Sequence, residues 1–320
     1  MRHTNEILLP YPPPTSSAEE SLPQLPSPGW FRRVERDASH FLARYLLPWV
    51  PGIDRPYSAI LERQLQVRNL AVTIDGMPSA FHGFKILFLS DIHAGPFLRP
   101  ATLSRCVTRL LAREPDLIVI AGDIVTSSIA EYVAVRESFR RLTAAADCFT
   151  VLGNHDHYAD RVGDLQSLLE EDGIHVLTNR SVPLERCGAK ITLAGIDDLL
   201  MGRPDFTAAL REASGPVVLL THHPDVMYEA AKRGVDLVLA GHTHGGQIRF
   251  GGFPPLVRQS RLGFHEGRFR CARTRMLVSR GMGVVGLPIR AACDPEAWIL
   301  TLQDSRESVD GVSDALGDFP

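Results

Sequence analysis

Residues 235–246 read VDLVLAGHTHGG. An apolar run of strand character stops at Ala240. A glycine, two histidines one residue apart and two further glycines follow at once. The same punctuation occurs four more times upstream. KILFLS is followed by Asp91 and His93, and DLIVIA by Gly122 and Asp123. CFTVL is followed by Gly153, Asn154, His155 and Asp156, and VVLLT by His222 and His223. Five apolar strands therefore end in carboxylate, carboxamide or imidazole groups, and strand C-termini are where α/β folds place their ligands.

Between these strands lie segments of helical character: ATLSRCVTRLLAREP, DRVGDLQSLLEEDG, PDFTAALREAS and VMYEAAKRG. LQVRNLAVTI, KITLAGIDD, RMLVSRGMG and AWILTL read as further strands. The alternation predicts an α/β protein with layered sheets and helices outside.

A chain of 320 residues with 44% hydrophobic and 22% charged residues has the composition of a globular protein with a sizeable core. Its net charge of −3 gives no general attraction to nucleic acid, so no nucleic-acid partner is indicated. The five cysteines, Cys106, Cys148, Cys187, Cys271 and Cys293, are odd in number and form no CxxC pair. They read as reduced thiols, and the expected location is the cytoplasm. No secretory signal is visible, and no apolar run is long enough to span a bilayer.

The chain divides into a Pro/Ser-rich tail over residues 1–29, expected to be disordered, an amphipathic helix over 30–54, the domain proper over 65–303, and an acidic polar tail over 304–320. In the amphipathic segment, Trp30, Val34, Ala38, Phe41, Leu42, Tyr45 and Trp49 recur at helical spacing, while Arg32, Arg33, Arg36 and Arg44 fall mostly on the other side. One reading docks this helix on its own domain. The other lays residues 30–50 in a membrane interface, which would make the protein peripheral on the inner face of the membrane.

Singly, each strand-end group has an ordinary explanation: Asp caps the next helix, Gly-Asp makes a turn, and a buried His is a satisfied core residue. Their joint occurrence in this order points to metal binding. Carboxylate and imidazole together suit Mn, Fe or Zn. Asp, Asn and His are present in numbers sufficient for two ions, and a carboxylate such as Asp123 can bridge a pair about 3.5–4 Å apart. Such a centre keeps net positive charge, attracts phosphate oxygens and supplies a hydroxide nucleophile. Gly241, Gly245 and Gly246 give the backbone room and permit positive φ around His242 and His244.

The series Asp-x-His, Gly-Asp, Gly-Asn-His-Asp, His and Gly-His-Thr-His resembles the calcineurin-like metallophosphoesterases over residues 65 to 303. GHTHGGQ and VSRGMG…LPIR look like its bacterial single-domain branch, which includes a UDP-diacylglucosamine pyrophosphatase. The resemblance implies a four-layer α-β-β-α sandwich of two facing mixed β-sheets flanked by helices, with two divalent metal ions at the strand C-terminal edge. Asp91, His93 and His244 would hold one metal and Asn154, His222 and His242 the other, with Asp123 bridging. His155 would protonate the leaving oxygen, oriented by Asp156. His222 is chosen over His223 because family members read His-x-Pro there. His223, Gly245 and Gly246 then become candidates for the substrate pocket, with His223 alternatively exposed to solvent.

The function expected is hydrolysis of phosphoester or pyrophosphate bonds in a phosphorylated small-molecule or lipid substrate. The alternatives are a phosphodiesterase or phosphatase acting on soluble nucleotides or phosphoproteins, and a non-catalytic metal-binding scaffold. A degenerate scaffold would have lost ligands or His155, and all are present. The stretch MGVVGLP reads either as a core strand and turn or as an apolar border of the site, which would suit a lipid-linked or nucleotide-sugar phosphodiester such as UDP-diacylglucosamine.

Overall fold

The computed structural model describes residues 6–10, 50–159, 161–249 and 259–304. Most of the expected helix over 30–54, and most of both tails, lie outside the described residues. Among the described residues, no helix is long and apolar enough to cross a membrane.

Two mixed sheets carry the fold. The first contains β2 (Gln66–Ile74), β3 (Lys85–Leu89), β4 (Leu117–Ala121), β5 (Asp147–Val151), β6 (Ile174–Val176) and β13 (Glu296–Asp304), in the order β2-β13-β3-β4-β5-β6. The run from β3 to β6 is parallel, while β13 enters antiparallel to β3. The second sheet contains β1 (Ile7–Leu8), β7 (Arg180–Arg186), β8 (Ala189–Gly195), β9 (Val217–Thr221), β10 (Leu237–Ala240), β11 (Gly267–Cys271) and β12 (Thr274–Val278). Its order is β1-β11-β12-β10-β9-β8-β7, with β8, β9, β10 and β12 parallel.

Strand periodicity builds the layers. In β3, Ile86 and Phe88 enter the core between the sheets, while Leu87 and Leu89 face the helices on the outer side. In β10, Leu237 and Leu239 share that central core, while Val238 and Ala240 face the opposite helical layer. Strands buried on both faces read as unbroken apolar runs, which explains their legibility in the sequence. The helices of the first layer are α1 (Arg55–Gln64), α2 (Pro100–Leu111), α3 (Ile129–Thr143), α4 (Asn154–Tyr158) and α5 (Val162–Glu171). The short α6 (Phe206–Ala209) and α7 (Met227–Lys232) cover the second sheet. The result is the expected α-β-β-α sandwich. Truncating a core ring such as Phe88 to Ala would cost about 3–5 kcal/mol.

Some boundaries differ from expectation. Ile7 and Leu8, within the segment expected to be disordered, pair with Phe269 and Arg270 on the sheet edge. The folded unit begins before residue 65, because Tyr57 and Leu61 of α1 are fully buried in the helical-layer core. The helix expected over PDFTAALREAS is confined to Phe206–Ala209, started by the Asp205 carboxylate accepting the Ala208 N–H at 2.9 Å.

Candidate metal centre

The C-terminal ends of β3, β4, β5, β9 and β10 meet at one edge where the sheets face each other. The loops after β3 and β4 stay paired beyond the strands, through Asp91 N–H to Gly122 O (3.0 Å) and His93 N–H to Asp123 O (3.0 Å). Gly241 N–H donates to His222 O at 3.0 Å, which joins the ends of β9 and β10.

Two groups of side chains result. In the first, Asp91, His93, Asp123 and His244 are all buried and present ligand atoms within 4.8 Å of one another. His244 Nε2 lies 3.1 Å from His93 Nε2 and 3.5 Å from Asp91 Oδ1. In the second, His222 Nε2 lies 3.2 Å from Asp123 Oδ2, from Asn154 Oδ1 and from His242 Nδ1. Asp123 Oδ2 belongs to both, since it is also 3.4 Å from His93 Nε2.

The donor chemistry of the second group calls for a cation. His222 Nδ1 donates to the Ala121 carbonyl at 2.7 Å, because a carbonyl can only accept. Neutral His222 therefore turns a lone pair on Nε2 toward Asp123 Oδ2 and Asn154 Oδ1, both acceptors. Acceptor facing acceptor in a buried site is repulsive unless a positive charge sits among them. The side chains fit a divalent ion on this ground, and the carboxylate, carboxamide and imidazole donors suit borderline metals.

Titration of the protein groups alone carries the same message. Burial pushes the Asp91 carboxyl up to about 7 and the His93 imidazole down to about 3. Burial also holds His242 and His244 well below the ordinary imidazole range. For Asp123 burial works upward, but the imidazoles of His222, His155 and His93 together outweigh it and hold the carboxyl well below its usual value. Burial works to lower His222, yet the carboxylates of Asp123, Asp91 and Asp198 together outweigh it and push that imidazole well up.

The backbone is bent to make this arrangement. Asp91, His93, Asp123, His242 and His244 all have left-handed φ, between 48° and 72°. A non-glycine residue held there costs roughly 1–3 kcal/mol. Gly241 is required for a different reason: a Cβ on it would overlap Asp91 Oδ2. With no side chain there, the His242 N–H approaches Asp91 and donates to its two oxygens at 3.0 and 3.1 Å.

His155 stands beside both groups and in neither. Its N–H donates to Asp123 Oδ1 at 2.8 Å, and its ring meets His93 edge-on at 4.8 Å between centroids. Nδ1 donates to the Thr126 carbonyl at 2.7 Å. The expectation that Asp156 orients this ring is therefore corrected. Asp156 instead accepts the backbone N–H groups of Ile124 (2.8 Å), Val125 (3.0 Å) and Gly153 (2.9 Å), tying the loops after β4 and β5 together. Buried backbone donors of this kind must find an acceptor, and this decides the carboxylate's orientation.

His223 is buried and not solvent-exposed: its ring stacks on His242 at 4.4 Å, and Nδ1 accepts the Asp225 N–H at 3.2 Å. Gly245 and Gly246 are likewise buried, and a Cβ on Gly245 would press on Cys293 Sγ at 2.8 Å, which sets it against the interior and not against an open pocket.

Residues beyond the expected set hold the rim. Gln247 grips the loop after β12 three times: Nε2 donates to Val285 O (3.0 Å) and Leu287 O (3.1 Å), and Oε1 accepts from Val285 N–H (3.0 Å). Arg290 is buried, and its Nη2 donates to the carbonyls of Arg280 and Gly283 at 2.7 Å each. With both protons taken, its 3.3 Å contact with His244 Nδ1 is electrostatic. Gly283 N–H in turn donates to Asp91 O at 2.6 Å. The segments GHTHGGQ and LPIR contain these residues, but nothing in the sequence shows that Gln247 would fold onto Val285.

The model of the family described as calcineurin-like phosphoesterase matches residues 84–246. The chain is 33% identical over 236 residues to the Bacillus subtilis (strain 168) protein named Uncharacterized metallophosphoesterase YkuE, covering 72% of this chain and 82% of that one. It is 32% identical over 263 residues to an Uncharacterized metallophosphoesterase of Aquifex aeolicus (strain VF5), covering 77% and 95%. Among solved structures, TT1561 of Thermus thermophilus matches with a TM-score of 0.41 and 13% identity, covering 62% of this chain and 89% of that one.

Proposed function

Since the chain belongs to the calcineurin-like phosphoesterase family, a family of hydrolases, we propose that it cleaves phosphoester or pyrophosphate bonds using two divalent ions held at this edge. The observation that carries the reading is the shared oxygen of Asp123, 3.4 Å from one imidazole of the first group and 3.2 Å from one of the second. Asp91, His93 and His244 would hold one ion, Asn154, His222 and His242 the other, and Asp123 would bridge. When bound, the ions neutralise phosphate oxygens and supply hydroxide near neutral pH.

The chain's own residues do the rest. The Thr126 carbonyl keeps a proton on His155 Nδ1 and fixes the ring plane. Nε2 is then the nitrogen that gives a proton to the oxygen leaving phosphorus as the P–O bond breaks. Asp156 holds the two loops that set the distance between Asp123 and His155. Leu287 and Ile289, 55% and 43% exposed on the loop clamped by Gln247, support a substrate with an apolar group beside its phosphate, such as a lipid-linked phosphodiester.

The test is hydrolysis of bis(4-nitrophenyl) phosphate by purified protein with Mn²⁺, followed by EDTA treatment and metal restoration. Retention of full activity in protein shown to be metal-free would overturn the reading. A panel of aryl and alkyl phosphomonoesters, cyclic nucleotides and UDP-diacylglucosamine then narrows the substrate.

A further inference from the structure

A sixth apolar strand also ends in carboxylates. β8 runs into Asp197 and Asp198, and Asp198 is wholly buried. Its Oδ2 closes the following turn by accepting the N–H groups of Leu200 (2.8 Å) and Met201 (2.7 Å). Its Oδ1 is buried as well and has no hydrogen-bond partner among the described residues. Unbonded buried carboxylate oxygens are costly and rare in folded proteins.

Looseness of the loop does not explain the orphan. Asn179 Oδ1 accepts the N–H groups of Asp197 (3.0 Å) and Asp205 (2.8 Å), and its Nδ2 donates to Arg203 O at 2.8 Å. Asp197 is paired to His157 at 3.0 Å and accepts the Arg203 N–H at 2.8 Å. These neighbours are tied down, so Asp198 is held where it is.

Its position is informative. β8 lies parallel to β9 with Gly195 opposite Leu220, so the chain reaches Asp198 alongside the stretch where β9 delivers His222 and His223. We propose that Asp198 is a positioning residue of the centre, its Oδ1 accepting a hydrogen bond from a water on the His222 side and thereby orienting that water toward phosphorus. The full burial of the side chain excludes a substituent of the substrate, and buried waters are what usually serve a polar atom left unbonded by the chain. No covalent change occurs at Asp198; it accepts a hydrogen bond.

The proposal rests on the phosphoester-hydrolase reading and is tested apart from it. Asp198→Asn keeps an oxygen for the Leu200 and Met201 N–H groups, which directs its NH₂, a donor, to the place of Oδ1. Asp198→Ser keeps a hydroxyl for the turn and leaves that place empty. Both full-length variants are expected to melt near the wild type and to retain its divalent-metal content, measured by mass spectrometry of the purified protein. Their kcat on bis(4-nitrophenyl) phosphate should fall on the order of 10- to 100-fold, the worth of one charge-assisted hydrogen bond, with KM little changed.

Wild-type kcat in both variants would overturn the proposal. Loss of metal would overturn it too, by making Asp198 a ligand. So would an activity loss that vanishes when corrected for the folded fraction, which marks a structural role only. An inactive wild type would instead sink the hydrolase reading, whereas active wild type with indifferent Asp198 variants sinks this inference alone.

Discussion

Asp123 Oδ2 stands 3.2 Å from His222 Nε2, an imidazole whose other nitrogen is committed to the Ala121 carbonyl. Because Asp123 also faces His93, it is the side chain on which both halves of the centre depend. Asp123→Ala should remove both ions, and activity should fall by more than the roughly 10–100-fold typical of outer-shell partners. Metal analysis of the purified variant checks this. Two tightly retained ions would remove Asp123 from its bridging position.

His155→Ala should leave the metal content unchanged, since neither ring nitrogen enters the two groups of candidate ligands. The loss should be ~10²–10⁴-fold on alkyl phosphodiesters and much smaller on nitrophenyl esters, whose leaving group needs little protonation. Rates on two substrates of different leaving-group pKa decide it. Equal losses on both would place His155 in a role other than proton donor.

His222 and His223 are neighbours in sequence with opposite surroundings. His222→Ala should empty the second group of its metal and abolish activity. His223→Ala removes a ring stacked on His242 and an acceptor for Asp225 N–H, so its main cost should be stability, about 1–3 kcal/mol. Denaturant melts set beside metal content will separate the two, and metal loss confined to the His223 variant would move the ligand to that residue.

The His157–Asp197 pair should make stability depend on pH. Burial works against protonated His157, but Asp197, with help from Asp198 and Asp156, outweighs it and raises the imidazole above its ordinary value, while His157 helps hold Asp197 low. A raised imidazole means that folding favours the protonated form. The pair therefore stabilises fully below about pH 6.5, and the contribution fades as pH climbs through the higher folded value; on the acid side it fades only below about pH 4. The difference in Tm between wild type and His157→Gln should be larger at pH 5.5 than at pH 8.5. A constant difference would show that the pair's charge contributes nothing.

The centre was legible because apolar strands buried on both faces leave unbroken runs, and whatever follows them lies at one edge. Applied to KITLAGIDD, the same reading would have flagged Asp198. α3 is absent from the expected helices although its signal lies in the sequence: Ser128 and Glu131 form a capping box, and Tyr132, Val135, Phe139 and Leu142 recur at helical spacing along its buried face. β7 was not legible, because it is an edge strand whose residues are all half-buried or exposed and leave no apolar run. The work of Asp156 and Gln247 could not be read either. Their partners are backbone groups on other loops, and only the folded chain brings those within reach.

The left-handed turns at Asp91, His93, Asp123, His242 and His244 bear on how such a protein can change over generations. In backbone terms each of these positions favours glycine, which adopts this conformation freely. At Asp91 and Asp123 the carboxylates also hold the His242 and His155 N–H groups, so glycine there would trade backbone strain for orphaned buried donors. Backbone preference and the demands of the centre therefore pull these positions in opposite directions, and the strain is kept because the side chains are needed where they are.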